Sequence, residues 1–292
     1  MNADPDRERG VIGERRVRYA GFSSRELFVA GTGPCVVLIH GYGDSADTWR
    51  GVMAKLAEQG CAARAVDLPG FGHAGARRPG AQLPQLDAFV AELLASHTET
   101  GVVAVGNSLG GTVVLRAAQR QDLPIRAVLV MGSAGSGFTP GVRLIVYRNG
   151  WLARAACAVP VPPTLLSAGI RRALPGLLYG DRRLADPLVV QRMSAGITDS
   201  SSLGLVARGG ATFAGEVRNC LEPGRVRCPA VILQGARDRL VPVAAARRLH
   251  AALPHSRLVV LHDVGHCPQL DAPATVSELV VDLHSEARAV RP

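Results

Sequence analysis

The sequence predicts an α/β fold: a mostly parallel sheet with helices on both faces, plus one inserted helical cap. Three observations carry that expectation. Short β-branched apolar runs alternate with amphipathic helical stretches through most of the 292 residues, the pattern of strands buried on both faces. From about residue 137 to 227 the rhythm stops, and proline pairs and arginine-bearing helical stretches replace it. One strand-like run ends abruptly in Gly106-Asn107-Ser108-Leu109-Gly110, which reads as a sharp strand-to-helix turn with a serine at its apex.

Taken in order, Arg16–Ala20 and Glu26–Ala30 read as a first hairpin, Val36–His40 as a short buried strand, and Thr48–Gln59 as a helix closed by Gly60. Cys61–Asp67 is the next strand, stopped by Leu68-Pro69-Gly70. Pro84–Ser96 is helical, Val102–Gly106 is a strand, and Thr112–Arg120 continues a helix that opens after Ser108. Ile125–Met131 is a further strand. After the break come strand Ala230–Gln234, helix Val243–Leu253, strand Arg257–Leu261 and a closing helix, Ala274–Glu286. Roughly ninety residues between two core strands is too long for a loop. Residues 137–225 are therefore expected to form a helical cap on a core made of 1–136 and 226–292. Within the cap, Val142–Ala158 would place residues 144, 147, 151, 152 and 155 on one apolar stripe, and Leu188–Ala195 is another helical stretch.

Composition narrows the functional classes. With 47% hydrophobic and 20% charged residues the chain has ample material for a core. The formal charge of +9 comes from 32 arginines and a single lysine, Lys55. That skew looks like the codon usage of a GC-rich genome. Aromatics make up only 4%, and no basic tract is interleaved with them, which argues against nucleic acid. The charge is uneven, because residues 137–227 hold 12 arginines against Asp181, Asp186, Asp199, Glu216 and Glu222, a net +7. A solvated surface is the simpler account of this basic cap. Attraction of an anionic substrate, an acidic carrier or a membrane surface is the functional one. Met1–Arg18 is charged and lacks the apolar core of a signal peptide, and no run reaches the length of a transmembrane segment. The six cysteines are scattered, with no C-x-x-C and no ligand-like spacing to histidine. They read as reduced, mostly buried thiols of a cytoplasmic protein without a structural metal.

The chemistry starts at Ser108. The residues two before and two after it, Gly106 and Gly110, are small enough for strand and helix to approach, and Gly111 adds slack. A serine hydroxyl is a poor nucleophile until a base takes its proton and a third group orients that base. His266, in Asp263-Val264-Gly265-His266-Cys267-Pro268 just past the last strand, is the expected base. His262 and His40 lie nearer strand ends. His97, His250 and His284 sit on or beside helices and read as solvated surface. Asp238 follows strand Ala230–Gln234 at the same sheet edge and is the expected orienting acid, placed to fix the histidine tautomer. The rival position, the loop Gly132–Gly137, holds no carboxylate, and the competing account of Asp238 is a solvated turn residue paired with Arg237 or Arg239. Two backbone amides are expected to stabilise the oxyanion: that of Leu109 and, from His40-Gly41-Tyr42-Gly43, that of Tyr42. Tyr147 and Trp151 of the cap are candidates to line the substrate site. Gly70–Gly75 fits G-x-G-x-x-G after a strand, but Arg77-Arg78-Pro79-Gly80 cannot open the required helix, so it reads as a turn.

The order Ser108, Asp238, His266, with His40-Gly41-Tyr42-Gly43 upstream, resembles the α/β-hydrolase fold family. Asp67-Leu68-Pro69-Gly70-Phe71-Gly72 and the run from Gly265 to Pro273 look like that family's recurring turns. The resemblance covers about residues 15–136 and 226–290 and implies an eight-stranded sheet with a helical cap over the site; residues 137–225 match no motif. It implies a serine hydrolase that cleaves a small-molecule ester or acyl substrate through an acyl-enzyme, with no cofactor and no metal. A second enzyme reading is carbon–carbon bond hydrolysis, because Gly106-Asn107-Ser108-Leu109-Gly110-Gly111 is similar to the elbow of hydrolases acting on ring-cleavage products. Cap arginines could then hold a substrate carboxylate. Epoxide hydrolases and haloalkane dehalogenases need an aspartate nucleophile and are set aside. The non-enzyme reading is a small-ligand receptor that keeps the triad but not the turnover.

Overall fold

One eight-stranded sheet organises the computed structural model of the protein, which describes residues 11–144, 161–253 and 255–289. Its strands are β1 (Gly13–Tyr19), β2 (Phe22–Val29), β3 (Thr32–Ile39), β4 (Cys61–Val66), β5 (Val102–Asn107), β6 (Ile125–Met131), β7 (Ala230–Gly235) and β8 (Ser256–Leu261). They lie in the order β1-β2-β4-β3-β5-β6-β7-β8. The pairs β1–β2 and β2–β4 are antiparallel and the remaining neighbours are parallel. The sheet is mostly parallel, as expected. The first hairpin is longer than its sequence suggested. Ala20 and Gly21 both take positive φ in the two-residue turn, at 48° and 79°.

The central strands are apolar throughout because each feeds two cores. On β5, Val102 and Ala104 enter one buried cluster while Val103 and Val105 enter the other, and β3 and β7 divide in the same way. The helices, in chain order, are α1 (Arg50–Glu58), α2 (Gln82–Ala95), α3 (Leu109–Ala118), α4 (Pro140–Arg143), α5 (Pro163–Leu178), α6 (Pro187–Ser194), α7 (Ser200–Glu216), α8 (Val243–Ala252), α9 (Pro268–Asp271) and α10 (Pro273–Ala289). Helices α1 and α10 cover one face through Val52, Met53, Leu56, Val276 and Val280. Helices α2, α3 and α8 cover the other through Leu86, Phe89, Val113, Val114 and Leu249. The stretch read as Thr48–Gln59 starts with a 3₁₀ turn, Ala46–Trp49, before α1.

Helices α4 to α7 form an insertion between β6 and β7. Of the expected helix Val142–Ala158, only its beginning, next to α4, falls within the described residues; Tyr147 and Trp151 lie outside them. The expected Leu188–Ala195 helix is α6, opened by Pro187 and capped by Asp186, whose carboxylate accepts from Leu188 N at 2.8 Å. Helix α7 starts in a capping box: Asp199 accepts from Ser202 N at 2.8 Å, and Ser202 Oγ accepts from Asp199 N at 3.0 Å. No described helix is long and apolar enough to cross a membrane.

A buried ion network fixes the sheet's edge to the loops above it. Arg25 on β2 donates to Asp67 Oδ2 at 3.0 Å and to Asp47 Oδ2 at 2.6 Å. Asp67 also accepts from Ala46 N at 2.7 Å and His73 N at 2.8 Å, so it organises the Gly70–Gly75 turn, which closes through Gly70 N to Gly75 O at 2.8 Å. Burial works to raise the Asp47 carboxyl, but Arg25 and Arg50 outweigh it and pull it from 3.8 down to about 2. A depressed folded value stabilises the protein above the ordinary carboxylate range, and that contribution is lost as pH falls toward 2. Asp47→Asn is expected to cost about 1–2 kcal/mol at pH 7, allowing for partial solvent screening. Urea melts of both proteins at pH 7 and at stepped lower pH should show the gap close below about pH 4.

Candidate active site

Strand β5 meets α3 at Ser108, whose φ of 53° and ψ of −108° put a non-glycine residue in a costly backbone region. The turn works only because its neighbours are glycines. A Cβ on Gly106 would collide with the backbone of Gly110 and Gly111, and one on Gly110 would collide with the carbonyls of Ile39 and His40. The strain is held by anchoring on both sides: Ser108 N donates to Met131 O at 2.8 Å, and Ser108 O accepts from Ala134 N at 3.2 Å. From Gly101 to Leu115, Ser108 is the only residue that is not buried. The hydroxyl-bearing residue is thus reachable in a wall that is otherwise sealed.

His266 and Asp238 meet beside the same sheet edge, with Nδ1 2.8 Å from Oδ2. Both side chains are almost fully buried, at 5% and 1% exposure. Asp238 is saturated with donors: Gln234 Nε2 at 3.0 Å, Leu240 N at 2.8 Å and Val241 N at 2.9 Å, besides the imidazole. Burial pushes its carboxyl up, but His266 and the two backbone amides prevail and hold it below its ordinary value. An ionised acceptor requires the proton on Nδ1, which leaves His266 Nε2 with a free lone pair. Arg237 pairs instead with Asp263 at 2.5 Å, and Arg239 donates to Gly176 O at 2.7 Å, so neither competes for Asp238. Gly132, at φ +51°, flanks the pair: a Cβ there would sit 3.1 Å from Asp238 Oδ2 and from the imidazole. The lack of a carboxylate in this loop is legible in the sequence; the need for a residue without a side chain at position 132 is not.

The other histidines separate on geometry. His40 uses both ring nitrogens, Nδ1 with Gly41 O at 2.7 Å and Nε2 accepting from Leu68 N at 2.9 Å, so it is a structural neutral imidazole. His262 is exposed. His284, expected on solvated surface, is buried at 4% exposure with Nε2 3.2 Å from Thr32 O. The helix carrying it lies across the sheet, and burial lowers the imidazole's pKa. Burial also keeps the Cys267 thiol far above its ordinary value, so it offers no rival thiolate beside His266.

The segment His40–Gly43 runs past the elbow. A Cβ on Gly41 would lie 3.4 Å from Ser108 Cβ, which brings this loop against the serine. The amide of Tyr42 follows directly, and Leu109 N opens α3 on the other side. The Tyr42 ring stacks on Phe213 with centroids 5.9 Å apart and meets Phe71 edge-on at 5.0 Å, and its hydroxyl donates to Val206 O of α7 at 3.0 Å. The insertion also grips the histidine loop, since Leu178 O accepts from His266 N at 2.9 Å and Cys267 N at 3.1 Å.

Asn107, immediately before the serine, is the hub of the site. It is 1% exposed, and its Nδ2 donates to His266 O at 2.9 Å and to Met131 O at 3.3 Å. Its Oδ1 accepts from Gln269 Nε2 at 3.3 Å, and Gln269 reaches Thr48 Oγ1 at 3.2 Å. An amide immediately before the serine therefore fixes the backbone of the histidine.

A profile of the alpha/beta hydrolase family matches residues 36–279. An uncharacterized protein of Mycobacterium tuberculosis is 33% identical over 270 residues, spanning 88% of this chain and 76% of its own. A pimeloyl-[acyl-carrier protein] methyl ester esterase of Chromobacterium violaceum is 29% identical over 251 residues, spanning 84% and 92%. Among solved structures, a 2-hydroxy-6-oxo-6-phenylhexa-2,4-dienoate hydrolase from Rhodococcus superposes with a TM-score of 0.73 at 22% identity, covering 94% of this chain and 99% of that one.

Asn107→Ala removes the tie to His266 O without touching the imidazole or the hydroxyl. It is expected to lower kcat about 10²-fold, the scale of a small misplacement of a reacting group, with KM little changed. Asn107→Asp, which keeps an acceptor for Gln269 but loses the donor, should fall nearly as far. Steady-state kinetics on a soluble ester check both.

Proposed function

The chain belongs to the alpha/beta hydrolase family, and from that membership we propose that it is a serine hydrolase cleaving a carboxylic ester. One observation carries the reading: a buried His266–Asp238 pair, 2.8 Å apart, shares a sheet edge with a strained, accessible Ser108. The esterase named among its relatives is consistent with ester chemistry.

In the proposed reaction His266 Nε2 takes the proton from Ser108 Oγ as Oγ attacks the ester carbonyl. Asp238 holds the imidazole by Nδ1 and stabilises its positive charge. The carbonyl oxygen becomes an oxyanion within reach of the backbone amides of Leu109 and Tyr42. Collapse expels the alcohol, which receives the proton from His266 and leaves Ser108 acylated. Water then gives a proton to His266 and attacks the acyl carbonyl, releasing the acid and restoring the hydroxyl. No step calls for a metal or a cofactor. The insertion is proposed as the cap over this site, because Val206 and Leu178 bond to residues on its two loops. The substrate would then be shaped by α5 to α7.

The test is initial rates on p-nitrophenyl esters of increasing acyl length. Ser108→Ala is expected to lower kcat about 10⁶-fold and Asp238→Asn about 10⁴-fold. Serine-dependent turnover with a length optimum supports the esterase. Turnover of a vinylogous 1,5-diketo acid in place of any ester would assign carbon–carbon hydrolysis. A ligand-raised Tm with no turnover of either would assign a receptor.

A further inference from the structure

Two surface properties that are independent in origin coincide on the insertion. The first is apolar exposure. Of the eight large apolar side chains that stand exposed among the described residues, seven lie between residues 144 and 206. Leu165, Leu184, Leu188 and Leu205 are 64–74% exposed, while the leucines of the sheet and its covering helices are sunk in the two cores. The second property is uncompensated charge. Several arginines meet carboxylates, as Arg15 does with Glu26, Arg64 with Glu26, Arg116 with Asp87, Arg120 with Asp122 and, on the insertion, Arg183 with Asp181. On the insertion, Arg143, Arg172, Arg182 and Arg208 meet no carboxylate among the described residues.

The two kinds of residue are interleaved. Arg171 and Arg172 lie between Leu165 and Leu177 on α5, Leu184 follows Arg182 and Arg183, and Arg208 stands one turn from Leu205. An open groove of about 500 Å³, lined in part by Ile170, Leu174, Ile197 and Leu203 with Arg172 and Arg182, runs through the same surface. The centre of a protein–protein interface is rich in aromatic residues and methionine, with leucine and valine under-represented at its hot spots; the large apolar side chains exposed here are leucines and a valine, so the surface fits such a centre poorly. A bilayer boundary accepts that alternation, with leucines entering the acyl edge and guanidinium groups at the level of the phosphates. Each arginine near an anionic surface adds to the attraction.

We propose that the exposed face of α5 to α7 docks on an anionic lipid surface, inserting Leu184, Leu188 and Leu205 between arginines that contact headgroup phosphates. The docking needs no turnover and so stands apart from the ester reaction.

The experiment is flotation of the full chain, carrying Ser108→Ala to keep lipid intact, with vesicles of phosphatidylcholine alone or with phosphatidylglycerol. The expected result is binding to the anionic vesicles, at least tenfold stronger than to neutral ones and weakened by salt. Leu184→Ser/Leu188→Ser and, separately, Arg172→Glu/Arg182→Glu should each reduce it at least tenfold. Far-UV circular dichroism of both pairs should match that of the parent chain. The arginine pair carries the test if the leucine pair fails to fold. The proposal is overturned by absence of flotation, by equal binding to neutral vesicles, or by full binding in a folded leucine variant. It is equally overturned if polyglutamate binds through the same leucines, which would mark an acidic protein partner, or if light scattering shows those leucines buried in a second copy of the chain.

Discussion

The close crossing of β5 and α3 at Ser108 is the contact on which the site is assembled. Gly110 lies against the carbonyls of Ile39 and His40, so the end of β3 and the elbow share one backbone contact. That contact sets Gly41 beside Ser108. It also requires His40 to be neutral, since the imidazole must accept from Leu68 N while donating to Gly41 O. A backbone strain of order 1–3 kcal/mol at one residue is tolerable because neighbouring strands hold the peptide. The amide of Ser108 is bound to β6, and its carbonyl is bound from the loop beyond β6.

Two carboxyls near this edge are driven in opposite directions by their surroundings. Asp238 is surrounded by donors on both oxygens and stays below its ordinary pKa despite burial. Asp44, four residues beyond His40, is raised mainly by burial; Ser45 N donates to one oxygen, while the other has no partner among the described residues. The contrast shows that burial alone does not set the state of an acid here: at Asp238 the His266 imidazole and the backbone amides outweigh it, and at Asp44 nothing does. An ionised Asp238 keeps the His266 proton on Nδ1, which is the tautomer the proposed reaction needs.

How much of this was legible in the sequence depends on the kind of signal. β3, β5, β6 and β7 are legible because strands buried on both faces are nearly continuous β-branched and apolar runs. Ser108, Asp238 and His266 could be proposed because each follows a strand end, and the structure brings Asp238 and His266 together there. Asn107 and Gly132 were hidden for a different reason: their importance lies in contacts with residues 159 and 134 positions away, which no local pattern records. His284 was misread because an α10 position was judged by its helix alone, without the β3 carbonyl it would meet. In the insertion, α7 carries Gly204, Gly209, Gly210 and Gly215, weak helix formers. Packing against Tyr42 and the Asp199 cap support it instead. Tyr147 and Trp151 lie outside the described residues.

Those glycines also explain how the insertion is joined to the core. Gly209 leaves room for the Tyr42 hydroxyl, and Gln82 Nε2 donates to its carbonyl at 2.8 Å. Glu216, at the end of α7, accepts from Gln82 N at 2.9 Å and Leu83 N at 2.7 Å, placing an anion on the positive end of α2. On the other loop, Asp271 accepts from both Gly180 N at 3.0 Å and Gly265 N at 2.7 Å, so one carboxylate binds the insertion to the residue before His266. The attachments of α5 and α7 are thus made to the two loops that flank Ser108. A displacement of α7 breaks the bond that orients Tyr42, and a displacement of the chain after α5 pulls on the backbone of His266. In the proposed reading, in which the insertion is the cap, covering the site and aligning its groups would depend on the same few hydrogen bonds.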